Sequence, residues 1–170
     1  MVKFFARRGV VGFAAVCLAG SACWAVAAQP KQLVGVVTHV TDGDTLWVLP
    51  AGGAEPVKVR FAGIDAPEIC QTGGATSLAA LKAKALRQTV RLDTSRYDDY
   101  GRMLARVQLG SDDLGAWMVQ QGQAWSYRYR NSPGPYAAEE RGARAAGRGV
   151  WAVPGAVEPR AFRKQHGSCH

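Results

Sequence analysis

Short runs of β-branched and apolar residues follow one another early in this chain, and each is cut off by a turn signal. Leu33 to Val40 reads as a strand, Asp42-Gly43 as a turn and Thr45 to Leu49 as a second strand. Pro50 to Pro56, with Gly52-Gly53, reads as a hairpin loop. Val57 to Phe61 then alternates Val57, Val59 and Phe61 against Lys58 and Arg60, which predicts a third strand with one basic face.

A Pro-containing loop, Gly63 to Gly74, leads to a helix expected over Ala75 to Val90, capped near Thr76 or Ser77, with Leu78, Leu81 and Ala85 on one face. Val90 to Leu92 and Met103 to Leu109 read as further strands separated by Tyr97 to Gly101. Asp112 or Asp113 is expected to cap a short helix running through Gln121 and stopping at Gly122. A last helix is expected from about Pro135 to Ala146, and after Trp151 the composition is that of a Pro/Gly/basic tail. Five short strands and three helices point to an α+β fold, a small β-barrel with the helices packed outside. The 170 residues show no internal repeat and no linker, which suits one domain.

The first 28 residues read as an address rather than as part of that domain. Lys3, Arg7 and Arg8 precede an apolar run from Val10 to Ala22, and the small residues Ala25-Val26-Ala27-Ala28 follow. This is the layout of a secretory signal peptide cut after Ala27 or Ala28. The alternative, a membrane anchor, needs roughly 20 apolar residues, more than the run supplies. Arg7-Arg8 loosely resembles a twin-arginine signal, and Gly20-Ser21-Ala22 before Cys23 makes a poor lipoprotein box. The expected organisation is therefore a leader over 1–28, a domain over 29–152 and a tail over 153–170. Export would place the mature chain in the periplasm or outside the cell.

Loss of Lys3, Arg7 and Arg8 lowers the formal charge from +8 to +5, which still favours an anionic partner. Cys17 and Cys23 leave with the leader, so Cys70 and Cys169 remain. In an oxidising compartment they either bridge, pinning the tail near the loop after Glu68, or stay as free thiols. No second Cys or His lies at zinc-ligand spacing.

Chemistry concentrates in a few segments. Thr41-Asp42-Gly43-Asp44-Thr45 offers carboxylates two apart, with a glycine that lets the chain turn between them. Asp65-Ala66-Pro67-Glu68 sets two acids beside the apolar end of the third strand, where they must be solvated, paired or bound to a cation. Arg60 leads into that loop, and Arg102 closes Tyr97-Asp98-Asp99-Tyr100-Gly101-Arg102. Taken singly, each is more often a turn or a surface charge. Together, Asp42, Asp44, Asp65 and Glu68 supply oxygen ligands for a hard cation, and the two arginines suit a phosphate. A cation, a carboxylate base and paired guanidiniums are the parts needed to hydrolyse a phosphodiester.

The ordered segments DGDT, VRFAGIDAPE, YGR and GQAWSYRY resemble the staphylococcal nuclease (thermonuclease) family over about Val34 to Trp151. The resemblance implies a five-stranded OB-fold barrel with three helices, dependence on Ca2+, and cleavage of DNA and RNA with 3′-phosphate products. It implies Asp44 and Asp65 as direct calcium ligands, the backbone carbonyl of Ala66 as a third, and Asp42 acting through water. It implies Glu68 as general base, Arg60 and Arg102 as phosphate-binding arginines, and Tyr127 and Tyr129 beside the nucleotide. The chain departs from the best-known nuclease at Ala66, which stands for a Thr, and at Asp99, which stands for a basic residue. It departs also in the shorter loop from Cys70 to Ala75 and in having Cys70 and Cys169 at all.

Trp125-Ser126-Tyr127-Arg128-Tyr129-Arg130 interleaves aromatics with bases. Tyr127 and Tyr129 are expected to stack on bases of single-stranded or denatured DNA or of RNA. Arg128 and Arg130 are expected to follow phosphates, and Trp125 to pack. Arg141, Arg144 and Arg148 read as an exposed helix face. No stable protein partner is implied, and a monomer is expected. Two alternatives to the nuclease are a non-catalytic OB-fold nucleic-acid-binding protein and a cell-envelope protein whose calcium site is structural.

Overall fold

The computed structural model describes residues 31–169 and, ahead of them, Met1 alone. The expected leader, its cleavage site and the boundary at residue 28 lie outside the described residues. In chain order the elements are β1 (Lys31–Val40), β2 (Thr45–Pro50), β3 (Val57–Phe61), β4 (Ile64–Asp65), α1 (Gly74–Ala85), β5 (Thr89–Tyr97), β6 (Met103–Leu109), β7 (Asp112–Asp113), α2 (Leu114–Gln120), β8 (Trp125–Ser126), α3 (Ala137–Ala145), a 3-10 turn (Gly149–Ala152) and α4 (Pro159–His166).

β3, β2, β1, β5 and β6 pair in that order, each antiparallel to the next, and β6 returns to lie parallel to β3, with Arg60 opposite Leu104. Five strands therefore close a barrel, as the sequence and the family resemblance led one to expect, and closure leaves these strands without free edges. Alternation decides what goes inside: Val37, Leu46, Val48, Val59, Phe61, Leu92 and Val107 are buried, while Lys58 and Arg60 on the other face of β3 are only part-buried. Leu81 and Ala85 of α1 and Leu114, Met118 and Val119 of α2 join the same core. β7 extends β6, and β4 pairs with β8 in a separate two-stranded unit.

The helices depart from expectation in identifiable ways. α1 ends at Ala85, not Val90, because Leu86 turns to ψ 131 and Arg87 to φ 64, after which Val90 and Leu92 enter β5 and the core. Neither Thr76 nor Ser77 caps it. Gly73 precedes it at φ 92 with no side-chain cap, and Ser77 is buried, its hydroxyl donating to the Gln123 carbonyl at 2.7 Å. α2 is capped as expected: Asp113 Oδ1 accepts the N–H groups of Gly115 and Ala116. The largest difference is in the tail, where Pro159 opens a fourth α-helix at the position that suits proline.

Candidate active site

The β1–β2 turn is built around its own acids. Asp42 Oδ1 accepts the Asp44 N–H at 2.9 Å, and the Asp44 carbonyl accepts the Phe61 N–H of β3 at 2.8 Å. Gly43 is required here, since a Cβ would collide with Ser77 Oγ and crowd Ala66. Asp44 Oδ2 accepts the Ala66 N–H at 2.9 Å and Oδ1 accepts the Thr45 hydroxyl at 3.1 Å. The turn is thus stitched to the loop that follows β4.

Arg60 joins the two loops from the strand between them. Its Nη1 donates to Asp44 Oδ1 and its Nη2 to Asp65 Oδ1, the latter at 3.0 Å. Asp44 and Asp65 are 3% and 2% exposed, so both carboxylates are charges taken out of water and held by a shared guanidinium. Asp65 is positioned by β4, whose partner strand β8 carries Trp125 opposite it and Ser126 opposite Ile64.

A second guanidinium comes from α4. Arg163 Nη1 donates to Asp65 Oδ1 at 3.1 Å and to Glu68 Oε1 at 2.9 Å, and Nη2 donates to Asp65 Oδ2 at 2.9 Å. This residue was not among those singled out from the sequence. Its only advance signal was the cysteine pair: Cys70 and Cys169 are bridged, with Cα atoms 6.0 Å apart, and the bridge does bring the tail to the loop after Glu68.

The electrostatics follow from burial and crowding. Burial, and then the neighbouring Asp44 carboxylate, push the Asp42 carboxyl up to about 7. Burial works against the charged Arg60, but Asp44, Asp65 and Asp42 outweigh it and hold the guanidinium above its ordinary value. Arg163 is raised in the same way: burial opposes the charge, and the bonds to Asp65 and Glu68 prevail.

Asp42, Asp44, Arg60, Asp65 and Ala66 therefore form one bonded set, which Glu68 joins only through Arg163. Arg102 does not join it. Barrel closure sets the start of β6 beside β3, with Met103 opposite Val59, yet the Arg102 side chain turns to Asp98. Its Nε donates to Asp98 Oδ2 at 2.7 Å and its backbone N–H to Oδ1 at 2.9 Å, and its guanidinium lies 5.3 Å from the Tyr100 ring centre. Burial works to raise the Asp98 carboxyl, but the hydrogen bonds from Arg102 prevail and hold it below the usual carboxylate range.

Tyr127 lies next to the acidic loop, its N–H donating to the Gly63 carbonyl at 2.9 Å, and it is 39% exposed; Tyr129 is 61% exposed. Trp125 is buried against the edge of Trp151, as expected. Arg128 differs from expectation. It pairs with the buried Glu140, which also accepts the Ser126 N–H and binds Arg144, so Arg128 and Arg144 serve to neutralise a core carboxylate.

The carboxylates of Asp42, Asp44 and Asp65 offer hard oxygens, the type calcium takes in shells of about 6–8 ligands completed by water. Among the described residues no group of three or more His, Cys, Asp or Glu side chains is placed so that it could hold a metal ion. The buried Asp44 and Asp65 already draw in two guanidiniums, which fits a position selecting positive charge.

Comparison with known proteins places these residues in context. The family described as "Staphylococcal nuclease homologue" matches residues 58–153, a stretch that includes Arg60, Asp65, Glu68, Arg102, Tyr127 and Tyr129 and ends before α4. A micrococcal nuclease of Shigella flexneri is 33% identical over 175 residues, covering 96% of each chain. An uncharacterized endonuclease of Haemophilus influenzae is 37% identical over 129 residues, 76% of this chain and 72% of the relative. Protein ParB of Escherichia coli is 35% identical over 162 residues, 89% of this chain and 87% of the relative.

Proposed function

The chain belongs to the staphylococcal nuclease family, and from that premise we propose that it is an exported, calcium-dependent nuclease that hydrolyses phosphodiester bonds of DNA and RNA and leaves 3′-phosphate ends. The observation that carries the reading is the meeting of the buried Asp44 and Asp65 on Arg60, with Glu68 at the rim of the same cluster.

Asp44, Asp65 and the Ala66 carbonyl would hold the calcium, with Asp42 reaching it through water. When bound, the ion polarises the phosphoryl group and offsets the charge of the acids. Glu68 takes a proton from the attacking water; as the water oxygen bonds to phosphorus, the bond to the 5′ oxygen breaks and that oxygen takes up a proton. Arg60 has donors beyond the two given to the acids. Arg102, bound to Asp98 through Nε and its backbone N–H, keeps its Nη groups for a phosphate. Both guanidiniums bind the phosphate oxygens more strongly as charge gathers at phosphorus. Tyr127 and Tyr129 stack on bases, which gives little sequence preference.

Export to the periplasm or beyond is supported by the Cys70–Cys169 disulfide and by the leader-like first 28 residues of the sequence. The protein acts as a monomer on single-stranded or denatured nucleic acid.

The test is digestion of heat-denatured DNA by the mature protein, titrated with calcium, with end-group analysis of the fragments. Cleavage should rise with calcium, stop with chelator and yield 3′-phosphates. Binding without cleavage at every calcium concentration would make the protein a non-catalytic nucleic-acid-binding module instead.

A further inference from the structure

Arg163 takes both oxygens of Asp65 and one of Glu68. In the reading above, these residues are a cation ligand and the general base. A divalent ion that uses Asp65 must share its oxygens with a guanidinium or displace it, and two positive charges at that range repel.

The segment that delivers Arg163 is fastened at its ends and lightly packed between them. Gln71 Nε2 donates to the Val157 carbonyl at 2.6 Å ahead of α4, and Cys169 is bonded to Cys70 behind it. Both anchors sit on the loop just after Glu68. Within α4 only Pro159 is buried, and a cavity of about 550 Å³ lined by Gln71, Trp125, Val150, Phe162 and His166 lies along the helix. The guanidinium can therefore leave the acids while the tether keeps it close, so that its return is an intramolecular event at high effective concentration.

We propose that Arg163 is a tethered counter-ion of the acidic site: it occupies the Asp65–Glu68 pair until a divalent cation displaces it, and by that competition it sets the site's cation affinity. The Cys70–Cys169 bond is the fastening that makes the competition effective, so reduction of the disulfide raises the affinity. The inference rests on the calcium reading of the site and adds to it a residue outside the family match.

The size of the effect follows from the fraction of molecules in which the acids are free. If Arg163 holds them about nine-tenths of the time, its removal tightens apparent binding about tenfold. The experiment is isothermal titration of calcium, without nucleic acid, into wild-type protein, Arg163→Gln and Cys169→Ser. Arg163→Gln should bind about tenfold tighter than wild type, and Cys169→Ser should also bind tighter, by a smaller factor. Equal or weaker affinity in Arg163→Gln overturns the inference while leaving the calcium reading in place. Calcium binding by none of the three overturns the calcium reading, and the inference with it. Should Arg163→Gln fail to fold, wild type titrated before and after reduction with dithiothreitol decides: a gain on reduction supports the tether, and no gain overturns it.

Discussion

The backbone N–H of Ala66 donates to Asp44 Oδ2 at 2.9 Å, so the turn after β1 and the loop after β4 are held together by a main-chain donor on a side-chain carboxylate as well as by Arg60. The Ala66 side chain plays no part in this bond or in offering a carbonyl. The exchange of Thr for Ala relative to the best-known nuclease therefore leaves the proposed cation shell intact.

Asp44→Asn should destabilise the cation-free protein by about 3 kcal/mol or more, the usual cost of removing one partner from a buried ion pair. The cause is Arg60, which would keep a full charge in a part-buried site with one counter-charge fewer. Urea denaturation in the presence of chelator measures it, and a loss below about 1 kcal/mol would show that the pair contributes little.

Glu68→Gln should slow turnover by about 10²–10⁴-fold, the range for a lost general base, with binding to denatured DNA largely kept. Single-turnover rates and a binding isotherm under non-cleaving conditions separate the two. An unchanged rate would remove Glu68 from the chemistry.

Tyr127→Ala and Tyr129→Ala should each weaken binding of single-stranded DNA by about 1–3 kcal/mol, with similar losses on different sequences. Fluorescence anisotropy on short oligonucleotides checks this. Losses confined to one base would point to direct readout instead.

Tyr136 gives a pH signature away from the acids. Burial, and then the Asp113 carboxylate, raise its phenol from 10.0 to about 12, and its hydroxyl donates to Asp113 Oδ2 at 3.0 Å. Between about pH 10 and 12 the folded chain keeps a proton that the unfolded chain has released, so the stabilisation is complete below that window and lost as pH rises through it. The loss should reach about 3 kcal/mol and disappear in Tyr136→Phe, as read from denaturation midpoints against pH.

Reduction of Cys70–Cys169 should lower stability by roughly 2–5 kcal/mol, since the bond closes a long loop in the unfolded chain. Thermal unfolding of the Cys70→Ser, Cys169→Ser double variant measures it.

What the sequence made legible was what depends on local pattern. Val57, Val59 and Phe61 announce an inward face by alternation alone, and Asp113 announces a cap by its place before Leu114. The end of α1 was not legible, because Leu86 to Val90 suits either a helix or a strand until β1 offers a partner. Asp42, Asp44, Asp65 and Glu68 could be picked out as acids beside apolar strand ends. The engagement of Arg102 with Asp98 could not, because two nearby carboxylates compete for one guanidinium and only the turn geometry decides between them. Arg163 was hidden for a similar reason. Among Arg160, Arg163 and Lys164 nothing local distinguishes the residue that faces Asp65, and the cysteines located the tail without saying which of its cations arrives.

The parallel seam between β3 and β6 has a consequence for how the molecule comes into being. A helix and two strands, α1, β4 and β5, lie between them in the chain, so a chain emerging N-terminus first cannot shut its barrel until β6 is clear. Until then the hairpins formed so far expose apolar faces and open rims. The final clasp, between Cys70 and Cys169, can form only after every strand of the barrel has emerged.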